Sequence, residues 1–433
     1  MLETNNSIII VDDKERDLHY LSNVFCEYGI GCRTFLYDGF ETVESPLENV
    51  KLAFFDISLT DAGADNAKMA VLREALKSYI SIKNKAFVLV FWTNKPEDKD
   101  NFIEFVNRAE DKKEIPKPIC IETIDKNEFL DHPEKIRQRL SDLMEENIVK
   151  CLFSFDTQLR KASEKSLNEV LNLIEFPDDW GENQQYKKNI REVFALIATE
   201  TLGNKQATKL PDLAIKEAFG PLFLHHLCNL PSTVWKEFFA EGTNIAKIKH
   251  FPEASIAAKL NTIFHLNFSN SEINARGCVR QIDCGDKNVA ELFEDKVGYT
   301  PDNWVNTILL KNVECQGKIK EVIAVEISAA CDYSNQKKRT HQYLLGVIMP
   351  SSIHNQLQTA PLGDAVMDLQ FAFMYEDEEC YMLLHSTFLI SEEENTCFRL
   401  LGKRLFSLKN EVMNMIGDRH ARHIARIGIN SFR

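Results

Sequence analysis

The chain has 433 residues, of which 44% are hydrophobic and 27% are charged, and its formal net charge is −14. This length predicts two or three domains with sizeable cores. The acidic charge argues against a nucleic-acid partner, because phosphate repels it. Without a run of ~20 apolar residues or the features of a signal peptide, we expect a cytoplasmic protein with no membrane partner.

Short apolar runs in the first third of the chain predict the strands of a buried sheet. The first three runs are nearly continuous, which is the pattern of strands covered on both faces of a parallel sheet. Helical stretches alternate with the runs, and CRTFLYD can supply a further strand. The alternation predicts a doubly wound α/β domain over residues 1–130. The runs are Ser7–Val11, Leu52–Phe55, Ala86–Phe91 and Ile119–Ile124.

The middle of the chain, residues 131–268, is predicted to be helical. Ile136, Leu140 and Leu143 recur at steps of three and four, which is the spacing of one helical face. The stretch from residue 132 can be one long helix or two helices broken near SFD at residues 154–156. We interpret this region as a transmitter, and the apolar spacing predicts a homodimer through the helix near Ile136.

The last part, residues 269–433, is predicted to be a mainly β output domain closed by a helix. Strand-like segments are joined by short polar stretches, a pattern that favours an antiparallel sheet. The final segment, RLFSLKNEVMNMIGDRHARHIARI, reads as the closing helix. The strand-like segments are NTILLKNV, EVIAVEIS, QYLLGVIMP, DLQFAFMYE and YMLLHSTFLI.

Polar residues stand at the carboxyl end of each predicted strand in the first domain. Functional side chains gather at that edge in doubly wound sheets. Carboxylates that converge there repel one another unless a cation lies between them, and Mg²⁺ favours such oxygen ligands. A carboxylate beside the ion can attack a phosphoryl donor and form an acyl phosphate. The residues are Asp12, Asp13, Asp56, Thr93 and Lys126.

The motifs IIIVDD, FFDIS and FWTN, in this order, resemble those of receiver domains in bacterial two-component response regulators. The resemblance covers about the first third of the chain and implies a flavodoxin-like fold. It implies that Asp12, Asp13 and Asp56 hold Mg²⁺ together with the backbone carbonyl of Ser58. It also implies that a sensor histidine kinase or a kinase-like ATPase phosphorylates Asp56, and that Thr93 is the switch hydroxyl.

The resemblance also implies a lysine that contacts phosphate at the end of the last strand. The family usually has Lys-Pro after that strand, whereas here Lys117-Pro118 precedes ICIETI and Lys126 follows it without a proline. Both lysines stay open at this point, and the greater length of ICIETI as a strand favours Lys126. The loop after Asp56 lacks the usual Pro-Gly turn and adds Asp61 and Asp65. These departures indicate an atypical branch.

Two other functions compete with phosphorylation control of an interaction domain. Aspartates at strand ends often only cap helices, so the first domain can be a pseudo-receiver that takes no phosphate. Alternatively, the output domain is an effector enzyme with a site at Glu326, Cys331, Asp332 and Arg339, with His341 as a candidate base. The segment around the Cys-Asp pair resembles uncharacterised bacterial proteins, some in apparent conflict or defence gene sets, which suggests a stress or antiviral pathway.

Overall fold

The computed structural model describes most of the chain in two compact units. One unit comprises Met1–Glu164 and Leu227–Thr243, and the other comprises Lys165–His226 and Asn244–Arg433. The sequence-based division at residues 130 and 268 stays a prediction. The described residues are 7–27, 29–39, 43–60, 64–129, 132–144, 147–176, 181–240, 245–248, 251, 253–269, 276–310, 319–328, 340–357, 362–393 and 399–426.

A five-stranded parallel sheet forms the centre of the first unit, which confirms the predicted α/β architecture at this level. The strand order is β2-β1-β3-β4-β5, and every neighbouring pair is parallel. All residues of β1, β3 and β4 are buried, as the continuous apolar runs predict. The strands are β1 (Ile8–Asp12), β2 (Arg33–Leu36), β3 (Leu52–Phe55), β4 (Val88–Thr93) and β5 (Cys120–Asp125).

Helices cover both faces of this sheet. Leu18 and Leu21 of α1 belong to one apolar cluster, which also contains Ile136 of α5. Leu72 of α2 and Phe102 of α3 belong to the cluster on the other face. Ile136 itself therefore packs within the chain, and the homodimer through the helix near it stays a prediction. The helices are α1 (Glu15–Glu27), α2 (Asp65–Tyr79), α3 (Asp98–Arg108), α4 (Lys126–Phe129) and α5 (Pro133–Met144).

The middle region is helical, as predicted, but its helices break at different places. The SFD tripeptide lies inside α6 instead of at a helix end, because the apolar stripe continues through it. Gly220 and Pro221 lie inside α9, although both residue types often end helices. The helices are α6 (Asn147–Leu171), α7 (Gln184–Leu202), α8 (Asn204–Lys209), α9 (Pro211–Asn229), α10 (Val234–Ala240) and α11 (Ala254–His265), with a 3₁₀ turn at Ile245–Lys247.

The C-terminal region contains a second, antiparallel sheet. Its order is β10-β12-β9-β8-β7-β13-β6, and β11 pairs with β12. Apolar clusters cover both faces of this sheet, so its central strands β8 and β9 are largely buried. The strands are β6 (Leu266–Asn267), β7 (Cys278–Ile282), β8 (Glu321–Glu326), β9 (Thr340–Pro350), β10 (Val366–Asp368), β11 (Phe373–Tyr375), β12 (Glu378–Glu393) and β13 (Arg404–Leu408).

Two sequence-based assignments in this region are wrong. The NTILL stretch forms part of a π-helical turn, Trp304–Leu309, where Trp304, Val305 and Leu309 are buried at helical spacing. The predicted closing helix begins later than expected, because RLFSL forms β13 with alternating burial at its end. The helices here are α12 (Lys287–Val297), α13 (Pro301–Asn303), α14 (Ser351–Leu357) and α15 (Asn410–Ile424).

Within the described residues, no helix combines the length and apolarity that crossing a membrane requires.

Candidate functional site at the edge of the parallel sheet

The predicted site residues meet at the carboxyl edge of the parallel sheet. Asp12 is the last residue of β1, and Asp56 directly follows β3. Val11 pairs with Phe55, so the two aspartates are level with each other. Thr93 ends β4 and pairs with Asp125, the last residue of β5, which Lys126 follows directly. Four separate chain segments thus deliver polar side chains to one place.

The ammonium group of Lys126 lies at the centre of this cluster. Its Nζ donates hydrogen bonds of 2.6 Å to Oδ2 of Asp12 and of 2.6 Å to Oδ2 of Asp56. A third carboxylate, that of Asp17, lies 3.0 Å from the same nitrogen. Lys126 is 0% exposed, so its charge is removed from solvent, and these three carboxylates balance it.

This geometry distinguishes the two candidate lysines. Lys117 is exposed and precedes β5, so it lies at the amino end of that strand. Lys126 lies at the opposite end and contacts Asp56. The structure therefore brings Lys126 into the cluster and leaves Lys117 outside it.

Two backbone turns fix the orientation of the key carboxylates. The amide of Lys14 donates a 2.9 Å hydrogen bond to Oδ1 of Asp12. The amide of Ser58 donates a 3.0 Å hydrogen bond to Oδ1 of Asp56. Each carboxylate thus uses one oxygen for its own turn and presents the other to Lys126. A ligand role for the Ser58 carbonyl stays a prediction.

The carboxylate oxygens can hold a divalent cation. Asp12, Asp13 and Asp56 each offer an oxygen within 4.8 Å of the others, the one such group in the described part of the chain. Oδ1 of Asp13 is buried and has no hydrogen-bond partner among the described residues. Since buried carboxylate oxygens normally have a partner, and Mg²⁺ prefers an all-oxygen set, these residues fit that ion.

Burial and neighbouring charge shift the pKa values of two groups in the cluster. Burial raises the pKa of Asp12 to about 7, with a further increase from the charge of Asp56, while Lys126 opposes the rise. Burial by itself lowers the pKa of Lys126, but the carboxylates of Asp56 and Asp12 outweigh it and raise the pKa. Lys126 is therefore charged at neutral pH, and Asp12 titrates near neutral pH.

Thr93 is fully buried at the same edge, and its role as a switch hydroxyl stays a prediction. Its Oγ1 accepts a 3.2 Å hydrogen bond from the amide of Lys95. Of the two extra loop aspartates, Asp65 begins α2 and is exposed, and Asp61 lies outside the described residues.

Sequence reasoning missed Asp17. This residue lies on α1 and is 5% exposed. It precedes Leu21 by four positions and Val24 by seven, so it occupies the apolar face of its helix. That position was the available signal, because an acidic residue on a buried face requires a partner. In the sequence it reads instead as a favourable charge near a helix N-terminus.

A second buried carboxylate cluster lies in the antiparallel sheet. Glu326, the last residue of β8, is 0% exposed. Its Oε1 accepts a 2.5 Å hydrogen bond from Oγ of Ser328 and lies 3.3 Å from Nδ1 of His341. The structure thus brings Glu326 and His341 together. Three other residues of the predicted effector site, Cys331, Asp332 and Arg339, lie outside the described residues.

Comparison of the chain with protein-family models, with curated proteins and with solved structures gives no match. The functional interpretation therefore depends on the geometry of the two clusters.

Proposed function

We propose that residues 1–130 form an atypical receiver domain of the response-regulator type, in which Asp56 accepts a phosphoryl group. The strand order β2-β1-β3-β4-β5 supports this, since it is the flavodoxin-like order. In that fold, ligands bind at the carboxyl edge beside the switch in strand order, between β1 and β3. Asp12 and Asp56 stand at the ends of these two strands.

One observation carries the proposal. Lys126 contacts Asp12 and Asp56 at 2.6 Å each, while a buried oxygen of the neighbouring Asp13 has no partner among the described residues. A purely structural ion pair needs one carboxylate for its lysine. The excess of carboxylates is the arrangement that a divalent cation and a phosphoryl group would complete.

In the proposed reaction, an Oδ atom of Asp56 attacks the phosphorus of a phosphohistidine or of a small acyl phosphate. An O–P bond forms, and the bond from phosphorus to the donor breaks, so the donor leaves with the electron pair. Asp12, Asp13 and Asp56 would hold Mg²⁺, which neutralises charge on the phosphoryl oxygens. Lys126 holds another phosphoryl oxygen through its ammonium, and the hydroxyl of Thr93 donates to a third.

The output follows from the position of these groups. Rearrangement of Thr93 and Lys126 on phosphorylation would change the surface around β5 and α4. The partner is a sensor histidine kinase or a kinase-like ATPase, and the changed surface would control the C-terminal region or a homodimer contact near α5. With this function, the protein would act in phosphorylation signalling in the cytoplasm.

The test is phosphorylation of the full chain with acetyl phosphate and Mg²⁺, read by intact mass. We expect one phosphoryl group on the wild-type chain, and none on Asp56→Asn or in the presence of a chelator. Asp65→Asn is the matched control, because Asp65 is an exposed aspartate of the same domain, and it should be phosphorylated normally. A folded wild-type chain that binds Mg²⁺ but takes no phosphoryl group would favour the pseudo-receiver instead.

A second candidate is an effector site at the end of β8. The observation that favours it is the fully buried Glu326, held by Ser328 and His341 directly before the segment that contains Cys331 and Asp332. Replacement of Cys331 by Ala and of Asp332 by Asn tests it. Loss of the cellular output with intact Asp56 phosphorylation would support an effector enzyme, and an unchanged output would reject it.

A further inference from the structure

Asp17 is the unexpected member of the lysine cluster. The Lys126 ammonium has three N–H groups, and three carboxylates surround it, with Nζ–Oδ2 distances of 2.6 Å to Asp12, 2.6 Å to Asp56 and 3.0 Å to Asp17. The first two come from strand ends, whereas Asp17 comes from helix α1. Asp17 is also not part of the group of oxygens that can hold a metal.

The proposed function creates a conflict that Asp17 resolves. Mg²⁺ would need oxygens from Asp12 and Asp56, and these same residues contact the ammonium in the structure. Lys126 is 0% exposed, so it cannot turn to water when they leave. A buried ammonium without a counter-ion is strongly unfavourable, and entry of the metal would then carry that penalty.

We propose that Asp17 is a positioning residue that serves as the permanent counter-ion of Lys126. It keeps the ammonium paired while Asp12 and Asp56 exchange it for the metal, and it holds the ammonium within reach of the phosphoryl group on Asp56. Asp17 acts through Lys126 and touches neither the metal nor phosphate. This inference rests on the proposed receiver function.

A double-mutant cycle tests this role. Mg²⁺ affinity is measured by calorimetry on the full-length wild type, Asp17→Asn, Lys126→Met and the double variant. We expect Asp17→Asn to weaken Mg²⁺ binding about tenfold, and the same change to have an effect of about twofold or less in the Lys126→Met background, because coupled residues are not additive. Equal effects in both backgrounds would overturn the inference, since Asp17 would then act on the metal without Lys126.

Two matched variants complete the experiment. Glu15→Gln removes an exposed carboxylate from the same helix, next to His19, and should leave Mg²⁺ affinity unchanged, which excludes a general effect of charge. Asp17→Glu keeps the carboxylate and should restore at least part of the affinity. Far-UV circular dichroism confirms that each variant is folded.

Stability gives a second readout that needs no metal. Lys126→Met leaves Asp17 buried without its cation, so adding Asp17→Asn should raise the urea midpoint above that of Lys126→Met alone. A lower midpoint in the double variant would contradict the pairing.

The two proposals fail in different ways. If the wild type binds no Mg²⁺ and accepts no phosphoryl group, the receiver function is rejected and this role falls with it. If the wild type does both and Asp17→Asn behaves identically, only the role of Asp17 is rejected.

Discussion

The two buried carboxylate clusters of this protein differ in their ratio of donors to acceptors. In the antiparallel sheet, the single carboxylate of Glu326 accepts hydrogen bonds from the hydroxyl and the backbone amide of Ser328. It also contacts the imidazole of His341. In the parallel sheet, one ammonium and two backbone amides donate to Asp12, Asp17 and Asp56. Beside them, a buried oxygen of Asp13 has no partner in the part of the chain that the structure describes.

This difference indicates what each cluster can do. A carboxylate whose hydrogen-bond partners are all present stabilises the fold, and removing one partner leaves an unsatisfied buried group. A cluster with more negative charge than its donors can balance is completed by a cation from solution. The comparison therefore predicts that the first unit responds to Mg²⁺, and that the Glu326 cluster responds mainly to loss of its hydrogen bonds.

The largest expected effect comes from removing the ammonium. Lys126→Met should lower the free energy of unfolding by about 3–5 kcal/mol, because it leaves buried carboxylates without a cation. Urea denaturation of the full chain, followed by circular dichroism, measures the change. Lys117→Met is the control, since that side chain is exposed, and it should change stability by no more than about 0.5 kcal/mol. Equal effects of the two variants would contradict a buried ion cluster.

The next effect concerns the metal itself. Mg²⁺ at about 100 times its dissociation constant should stabilise the folded wild type by about 2.7 kcal/mol, because it binds the folded state alone. Asp13→Asn should lose most of this gain, whereas Glu326→Gln should keep it. Thermal denaturation with and without a chelator reports both results, and a Mg²⁺ effect that survives in Asp13→Asn would place the ion elsewhere.

A smaller effect is expected in the Glu326 cluster. Ser328→Ala removes the hydroxyl that donates to Glu326 at 2.5 Å and accepts from the amide of Gln342 at 3.0 Å. Two buried groups lose a partner, so the free energy of unfolding should fall by about 2 kcal/mol. Ser22→Ala, at an exposed hydroxyl on α1, is the control. Mg²⁺ affinity should be the same in both variants, and a changed affinity in Ser328→Ala would mean that the clusters are not independent.

The smallest effect is a pH dependence. The pKa of Asp12 is raised to about 7, and the metal binds the deprotonated carboxylate. Mg²⁺ affinity should therefore increase about tenfold between pH 6 and pH 8, which is about 1.4 kcal/mol. Calorimetry in buffers of different ionisation enthalpy would detect the released proton. An affinity that is flat over this range would exclude Asp12 as the titrating ligand.

In the absence of metal, the pH dependence of the free energy of unfolding has the opposite direction. Because the folded state holds this proton more tightly than the unfolded chain does, the contribution of Asp12 to stability is present below its ordinary pKa of 3.8 and is lost as pH rises through about 7.

The sequence predicted the parallel sheet well because β1, β3 and β4 are nearly continuous apolar runs. Leu52–Phe55 was predicted with its observed bounds, and the strand ends placed Asp12, Asp56 and Thr93 at one edge. Lys126 was favoured over Lys117 because the longer segment makes the better strand, and the structure has that strand. These are local properties of the chain, so they can be read without tertiary contacts.

The remaining features depend on partners distant in sequence. Asp17 meets a lysine 109 positions later. Its place on the apolar face of α1 indicates that it needs a partner, but the local sequence does not indicate which residue that partner is. The strand prediction at NTILL is wrong for a similar reason. A short apolar run is compatible with both a helix and a strand until its packing is known. There, Trp304 packs edge-on against Phe293 of α12 and Phe388 of β12.

The junction of β5 and α4 has a mechanical consequence. No residue separates Asp125, which ends the strand, from Lys126, which begins the helix, and the amide of Asn127 is tied to the Asp125 carboxylate at 2.8 Å. A lysine in a flexible loop could exchange one partner for another while only the loop changes its conformation. Here the Lys126 side chain is buried and densely packed, so a movement of its ammonium would also move the first turn of α4. A change in the rate of amide exchange at Asn127 would be the earliest backbone sign of that movement.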